Sequence, residues 1–305
     1  MISWWRNRVW LSRRSPWRHA APIALAPPEP VRIGLSLGGG FARGLAHVGV
    51  LRVLDRHRIP IHCITGVSAG AIAAAAYASG ATPDEIGAAG AAMRFADVAR
   101  WSFCRLGLVA SGRMERFLRR LLKRYRFEEM ALPLGVVATD VVTGEPVLFY
   151  GQGGVFVPIR ASCAYPGLFQ PVPWQDRLLV DGAMSMEVPA SLARALGANR
   201  VISVHLPAQG RTAKPSNMFQ VVNLCFQIMQ ARTEDGWKAD SDLVIQPDVR
   251  GVEWDGFESA LPMIEAGERA ALEALPQIRA LLEPPGRAVE AAGRGAALIP
   301  DSKPA

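Results

Sequence analysis

The 305 residues are half hydrophobic and one fifth charged, which suits one large or two small buried cores and excludes a disordered chain. The net charge of +7 is concentrated: residues 1–20 carry five arginines and no acid, 113–126 carry seven basic residues against one acid, and the remainder is net negative. That distribution argues against a protein-wide nucleic-acid footprint and fits local contact with an anionic surface such as lipid headgroups.

Residues 1–30 read as a basic, flexible arm in which Trp4, Trp5, Trp10 and Trp17 interleave with arginines, a mixture suited to a membrane–water interface. Its Ser12-Arg13-Arg14 stretch is similar to the start of a twin-arginine export signal, but the apolar part is brief and broken by Pro22. A cytoplasmic location is therefore expected, with peripheral contact at the inner membrane and without export. No apolar run reaches the ~18–20 residues of a membrane span.

Pro27, Pro28 and Pro30 end the arm, and "VRIGLSL" (31–37) predicts a buried strand. The pattern turns helical from Gly44 to about Arg56. "IPIHCITG" (59–66) predicts a second strand, followed at once by an Ala-rich helix from Ala69. Thr82-Pro83-Asp84-Glu85 supplies a capping box with proline at the first helical position. Residues 113–124 predict a basic amphipathic helix with Met114, Phe117, Leu118, Leu121 and Leu122 inward. "PLGVVATDV" (133–141) and "EPVLFY" (145–150) predict strands around a Thr143-Gly144 turn. Strands at 177–183 and 200–206 flank a helix at 187–197, and a last strand at 242–249 precedes a closing helix at 263–283. A Gly/Ala-rich tail, 284–305, is expected to be disordered. Apolar strands alternating with helices predict an α/β fold whose mainly parallel sheet is covered on both faces, a three-layer αβα sandwich. Ligands in such sheets bind beyond the carboxyl ends of the strands.

Two glycine turns fall on that edge. Gly66-Val67-Ser68-Ala69-Gly70 is a G-x-S-x-G between a strand and a helix, the setting of a nucleophile elbow that exposes the Ser68 hydroxyl. Gly38-Gly39-Gly40, opening a helix, lacks the third glycine of a dinucleotide fingerprint, since position 43 is Arg, and lacks the Gly-Lys-Ser/Thr of a P-loop. Bare backbone N–H groups aimed at one point suit an oxyanion hole better than a phosphate. A serine nucleophile needs a base. His205 follows Asp181 in Ser…Asp…His order, while Asp181 itself ends an apolar strand where its carboxylate could reach the serine directly. The residues alone leave both open, along with a catalytically idle membrane-binding protein. Cys63, Cys104, Cys163 and Cys225 show no metal-ligand spacing, so reduced, mostly buried thiols and no metal are expected.

Taken together, "GLSLGGGFARG", "GVSAG", "ATDVVTGEPVLF", "RASCAYPGLFQPV" and "LLVDGAMSMEVP" resemble the bacterial patatin-like phospholipase family in order and spacing across 31–205, and in outline across 206–283. The resemblance implies one hydrolase domain over 31–283 that cleaves lipid esters through an acyl-enzyme without a cofactor. It implies Ser68 and Asp181 as a catalytic dyad with His205 a bystander. Gly38, Gly39 and Gly40, joined by Ala69, would form the oxyanion hole, with Arg43 bracing the loop. Gly66, Gly70 and Gly182 would support the turns, and Ala183 stands where many members carry a second glycine. Tyr165, Leu168 and Phe169 are expected beside the site.

Overall fold

The computed structural model describes residues 29–207, 214–215, 217–250 and 260–283. The expected arm, up to residue 28, and the expected tail lie outside the described residues.

Every side chain of β1 (Ile33–Leu37) is buried, as its apolar run requires. The glycines and a 3-10 turn at Phe41–Leu45 then lead to α1 (Ala46–Arg56). β2 (Ile61–Val67) passes through Ser68 into α2 (Ala69–Ala78), and the Thr82–Glu85 capping box opens α3 (Pro83–Ala92). A short α4 (Phe95–Val98) and a hairpin of β3 (Arg100–Cys104) and β4 (Gly107–Ala110) precede α5 (Met114–Leu121). Then come β5 (Leu134–Asp140), β6 (Pro146–Tyr150), α6 (Phe156–Ser162), β7 (Val172–Trp174) and β8 (Arg177–Asp181). The described chain finishes with α7 (Ala190–Ala195), β9 (Arg200–Val204), α8 (Met218–Ala239), β10 (Leu243–Ile245) and α9 (Ala260–Leu281).

Several elements are shorter than their sequence patterns. The helix expected at 187–197 begins only at Ala190, after Pro189, and the strand expected at 242–249 stops at Ile245, two residues before Pro247, which has no N–H for a ladder. The hairpin, α6, β7 and α8 carry no clear period and were not expected.

β10, β9, β1, β2 and β5 are parallel in that spatial order. Alternation along the strands makes the layers. Ile33, Leu35, Leu37, Ile64 and Val136 face the main core with α1, α2 and α9. On the other face Gly34, Cys63 and Gly135 let α7 sit close, with Ala193 and Leu192 packed on them.

The carboxyl end of β5 carries the decisive topology. β6 covers Gly135–Thr139 along one edge, so β2 and the antiparallel β8 must share the other. β2 pairs Val67 with Val137, and β8 pairs Asp181 with the next residue, Ala138. Two strands therefore end head-on, with Ser68 following one and Asp181 closing the other.

α5 buries Met114, Phe117, Leu118 and Leu121 as predicted. Much of the neighbouring positive charge is spent within the fold: Arg119 pairs with Glu115, Lys123 with Glu85 and Arg126 with Glu128, while Arg113 and Arg124 donate to the carbonyls of Ala96 and Ser79. Among the described residues no helix is long and apolar enough to cross a membrane.

Candidate active site

Ser68 stands at φ 54°, ψ −125°, a left-handed conformation that a side-chain-bearing residue holds only when its surroundings enforce it. The enforcement is backbone proximity. A Cβ on Gly66 would lie 2.3 Å from the Gly70 carbonyl oxygen, and one on Gly70 would lie 2.3 Å from that of Leu37. The start of α2 thus rests on the end of β1, which brings the elbow and the Gly38–Gly40 loop together. The Ser68 N–H donates to the buried Ser162 hydroxyl oxygen at 2.8 Å, a clamp that nothing in the sequence advertises.

The Ser68 hydroxyl donates to Asp181 Oδ2 at 2.7 Å. Oδ1 of the same carboxylate accepts the Ala183 N–H at 3.0 Å, and Thr139 Oγ1 donates to the Asp181 carbonyl at 3.0 Å. Asp181 is 1% exposed, and burial pushes its carboxyl up to about 7 despite the opposing bonds from Ala183 and Ser68. Gly182 lets the chain turn here against β5, where a Cβ would meet the Val137 carbonyl oxygen at 2.2 Å. Such a carboxylate is a far stronger base near neutral pH than an exposed aspartate.

The glycine loop divides its work. Gly38 is not a free donor, contrary to expectation, because β9 lies beside β1 and the Gly38 N–H donates to the Val204 carbonyl at 3.0 Å. Its own carbonyl accepts from His47 Nε2 at 2.9 Å, and burial pulls His47 down to about 4, so this histidine is a neutral strut. The Gly39 N–H makes only a long 3.4 Å bond to the Glu187 carbonyl. Gly40 accepts from the Arg43 backbone N–H at 3.1 Å, and the Arg43 side chain reaches Gly40 O at 3.4 Å and Pro207 O at 3.1 Å. Arg43 thereby ties the loop to the segment after β9. Ala69 opens α2, where a helix leaves its first N–H groups unsatisfied.

His205 is buried and engaged elsewhere: Nε2 donates to Glu187 Oε1 at 2.9 Å, Gln246 donates to Nδ1 at 3.1 Å, and the ring packs on Trp237. Glu187, His205 and Glu234 do bring potential metal-ligand atoms within 4.8 Å of one another, but the Lys238 ammonium pairs with Glu234 and supplies positive charge at that spot. Cys63 and Cys163 are buried and Cys225 is exposed. Burial beside Asp181 pushes the Cys163 thiol well up, which leaves it inert.

Ser68, Asp181, Gly39, Gly40 and Arg43 line one cavity. Tyr165 lines it as expected and donates its hydroxyl to Asn223 at 2.9 Å, while Asn223, Gln227 and Gln230 of α8 complete a polar wall that the sequence patterns do not reveal. Phe169 lines an adjoining apolar cavity, and Leu168 is buried.

The family model described as patatin-like phospholipase matches residues 35–194, more than half of the chain. The chain belongs to the patatin-like phospholipase family. An uncharacterized NTE family protein of Mycobacterium tuberculosis is 30% identical over 263 residues, 83% of this chain and 41% of the relative. Patatin-like phospholipase domain-containing protein 6 of Homo sapiens is 28% identical over 193 residues, 59% of this chain and 14% of the relative. The chain thus spans well under half the length of these curated relatives. Among solved structures, VipD from Legionella pneumophila superposes with a TM-score of 0.54 at 13% identity, over 82% of this chain and 68% of that one, a likeness of fold. The patatin-like match contains Ser68 and Asp181 and ends within α7, so β9, α8, β10 and α9 lie beyond it.

Proposed function

We propose that this chain is a lipid acyl hydrolase that cleaves carboxylic esters through an acyl-enzyme on Ser68, with Asp181 as its sole general base. The observation that carries the reading is the 2.7 Å contact between the Ser68 hydroxyl and a buried carboxylate. Membership in a phospholipase family supports the substrate class.

In this mechanism Asp181 Oδ2 takes the Ser68 proton as Oγ bonds to the ester carbonyl carbon. The resulting oxyanion is held by the N–H groups of Gly40 and Ala69, joined by Gly39 once it leaves its long bond to Glu187. Collapse breaks the ester C–O bond, and the departing alcohol takes the proton from Asp181. Water then adds to the acyl carbonyl, giving its proton to the same carboxylate. The second collapse releases the fatty acid and returns the proton to Ser68. No metal or cofactor enters a step. Arg116 and Arg120, exposed on α5, leave some positive charge for contact with an anionic lipid surface from which substrate is drawn.

A fluorophosphonate probe tests the reading, since it bonds only to an activated serine. Peptide mapping should place the adduct on Ser68, and His205→Gln, which keeps a donor to Glu187, should label at close to the parental rate. Absence of labelling sinks the hydrolase, whereas loss of labelling in folded His205→Gln revives a Ser-Asp-His triad.

A further inference from the structure

The β3–β4 hairpin stands apart from the main sheet as a two-stranded unit of its own. Its inner side is fixed. Val109 is fully buried, a Cβ on Gly107 would lie 2.8 Å from the Phe169 carbonyl oxygen, and the Leu108 and Val109 N–H groups donate to the Leu168 carbonyl at 3.1 and 3.0 Å. The Gln170 N–H returns a bond of 2.9 Å to the Val109 carbonyl. The hairpin is thereby fastened to the stretch of chain that begins at Tyr165, a wall of the Ser68 cavity.

Its other side is apolar and bare. Trp101 is 65% exposed, Leu106 in the turn 60% and Leu108 44%. Hydrophobic residues scattered singly over a surface need no explanation, but three within residues 101–108 mark a contact surface. Charge says what covers it. Residues 94–113 carry Arg94, Arg100, Arg105 and Arg113 against one acid, Asp97, whose carboxylate accepts the Arg94 backbone N–H. Arg100 and Arg105 are exposed and pair with no acid among the described residues. A second copy docked by the same face would set these arginines against their own equivalents, which is repulsive. An anionic lipid surface attracts them, by about fivefold in binding for each, while their stems lie along the apolar layer. Tryptophan favours the headgroup level and leucine the acyl boundary.

We propose that this hairpin docks the domain on an anionic lipid surface: Leu106 and Leu108 enter the acyl boundary, Trp101 lies among the headgroups, and Arg100 and Arg105 meet lipid phosphates. The proposal deepens the ester-hydrolase reading, on which its effect on turnover rests, by naming the surface through which substrate is reached.

Hydrogen exchange on the full chain carrying Ser68→Ala, which leaves the lipid unconsumed, tests docking apart from catalysis. With vesicles of phosphatidylglycerol in phosphatidylcholine, amides across 101–108 should exchange several-fold more slowly. Unchanged exchange there overturns the proposal, whatever other segments do. In otherwise parental protein, Leu106→Asp combined with Leu108→Asp alters exposed positions only. The pair should lower the vesicle partition coefficient at least tenfold by sedimentation, and turnover of a vesicle-borne ester in step, with kcat/KM for a soluble butyrate ester unchanged. A parental partition coefficient in the double variant overturns docking through the hairpin. Parent dimers that the double variant abolishes, without vesicle protection of 101–108, give this surface to a second copy and overturn the proposal too. Failure of the parent to hydrolyse either ester, with that protection present, removes the hydrolase reading and leaves the docking surface standing.

Discussion

Ser68→Ala, Asp181→Asn and the double variant are expected to fall to the same residual turnover, about 10⁴–10⁶-fold below the parent, because nucleophile and base act as one unit. Additive losses would mean that Asp181 acts apart from Ser68. Asp181→Asn carries a second, opposite signature. The folded protein holds the Asp181 carboxyl at about 7 against an ordinary 3.8, so it retains a proton that the unfolded chain releases between those values. Stability therefore declines as pH rises from 4 to 7, and the full cost of the buried charge is present at pH 8. Asparagine is spared that cost and can still accept from Ala183 while donating to Ser68. Asp181→Asn should thus melt several degrees above the parent at pH 8 and equal to it near pH 4, by calorimetry. The same perturbation gives the parental kcat/KM a single rise with pH, inflecting near 7, since only the carboxylate can take the serine proton. Equal melting temperatures at both pH values would show that the carboxylate is not strained.

The residues of this site were more legible than their meeting. G-x-S-x-G between strand and helix located Ser68, and an apolar run ending in Asp-Gly located Asp181. Nothing in either stretch says that β8 runs antiparallel and abuts the end of β2; that follows from both strands using one edge of β5, a relation across 113 residues. The three glycines look equivalent as letters, yet pairing with β9 consumes the Gly38 N–H, the Gly39 N–H makes only a long bond to Glu187, and Gly39 and Gly40 line the cavity. Ser162 and the α8 amides escaped notice for a related reason: each acts through a partner distant in sequence, and small polar residues carry no period. The basic stretch around α5 is legible only as a count of charges, since composition cannot see that most of them face an acid or a carbonyl.

Gly39→Ala separates the reaction space from the fold. Its Cβ would stand 3.5 Å from Ser68 Cβ and 3.6 Å from Ala183 Cβ, ordinary contacts that require no backbone to move. Gly39 is also absent from the positive-φ glycines, so alanine can adopt its conformation. The methyl group nevertheless occupies the gap between loop and serine that an ester carbonyl oxygen must enter to reach the Gly40 and Ala69 N–H groups. Turnover should drop about 10²–10³-fold, the loss seen when an oxyanion contact fails, with melting temperature within about 2 °C of the parent. Labelling by a fluorophosphonate should slow in parallel, because the phosphoryl oxygen needs the same space. Gly70→Ala forces a Cβ to 2.3 Å from the Leu37 carbonyl oxygen, so its activity loss should come with a clear loss of stability. If folded Gly39→Ala hydrolyses esters at the parental rate, the oxyanion develops on another side of Ser68 and the loop only supports the elbow.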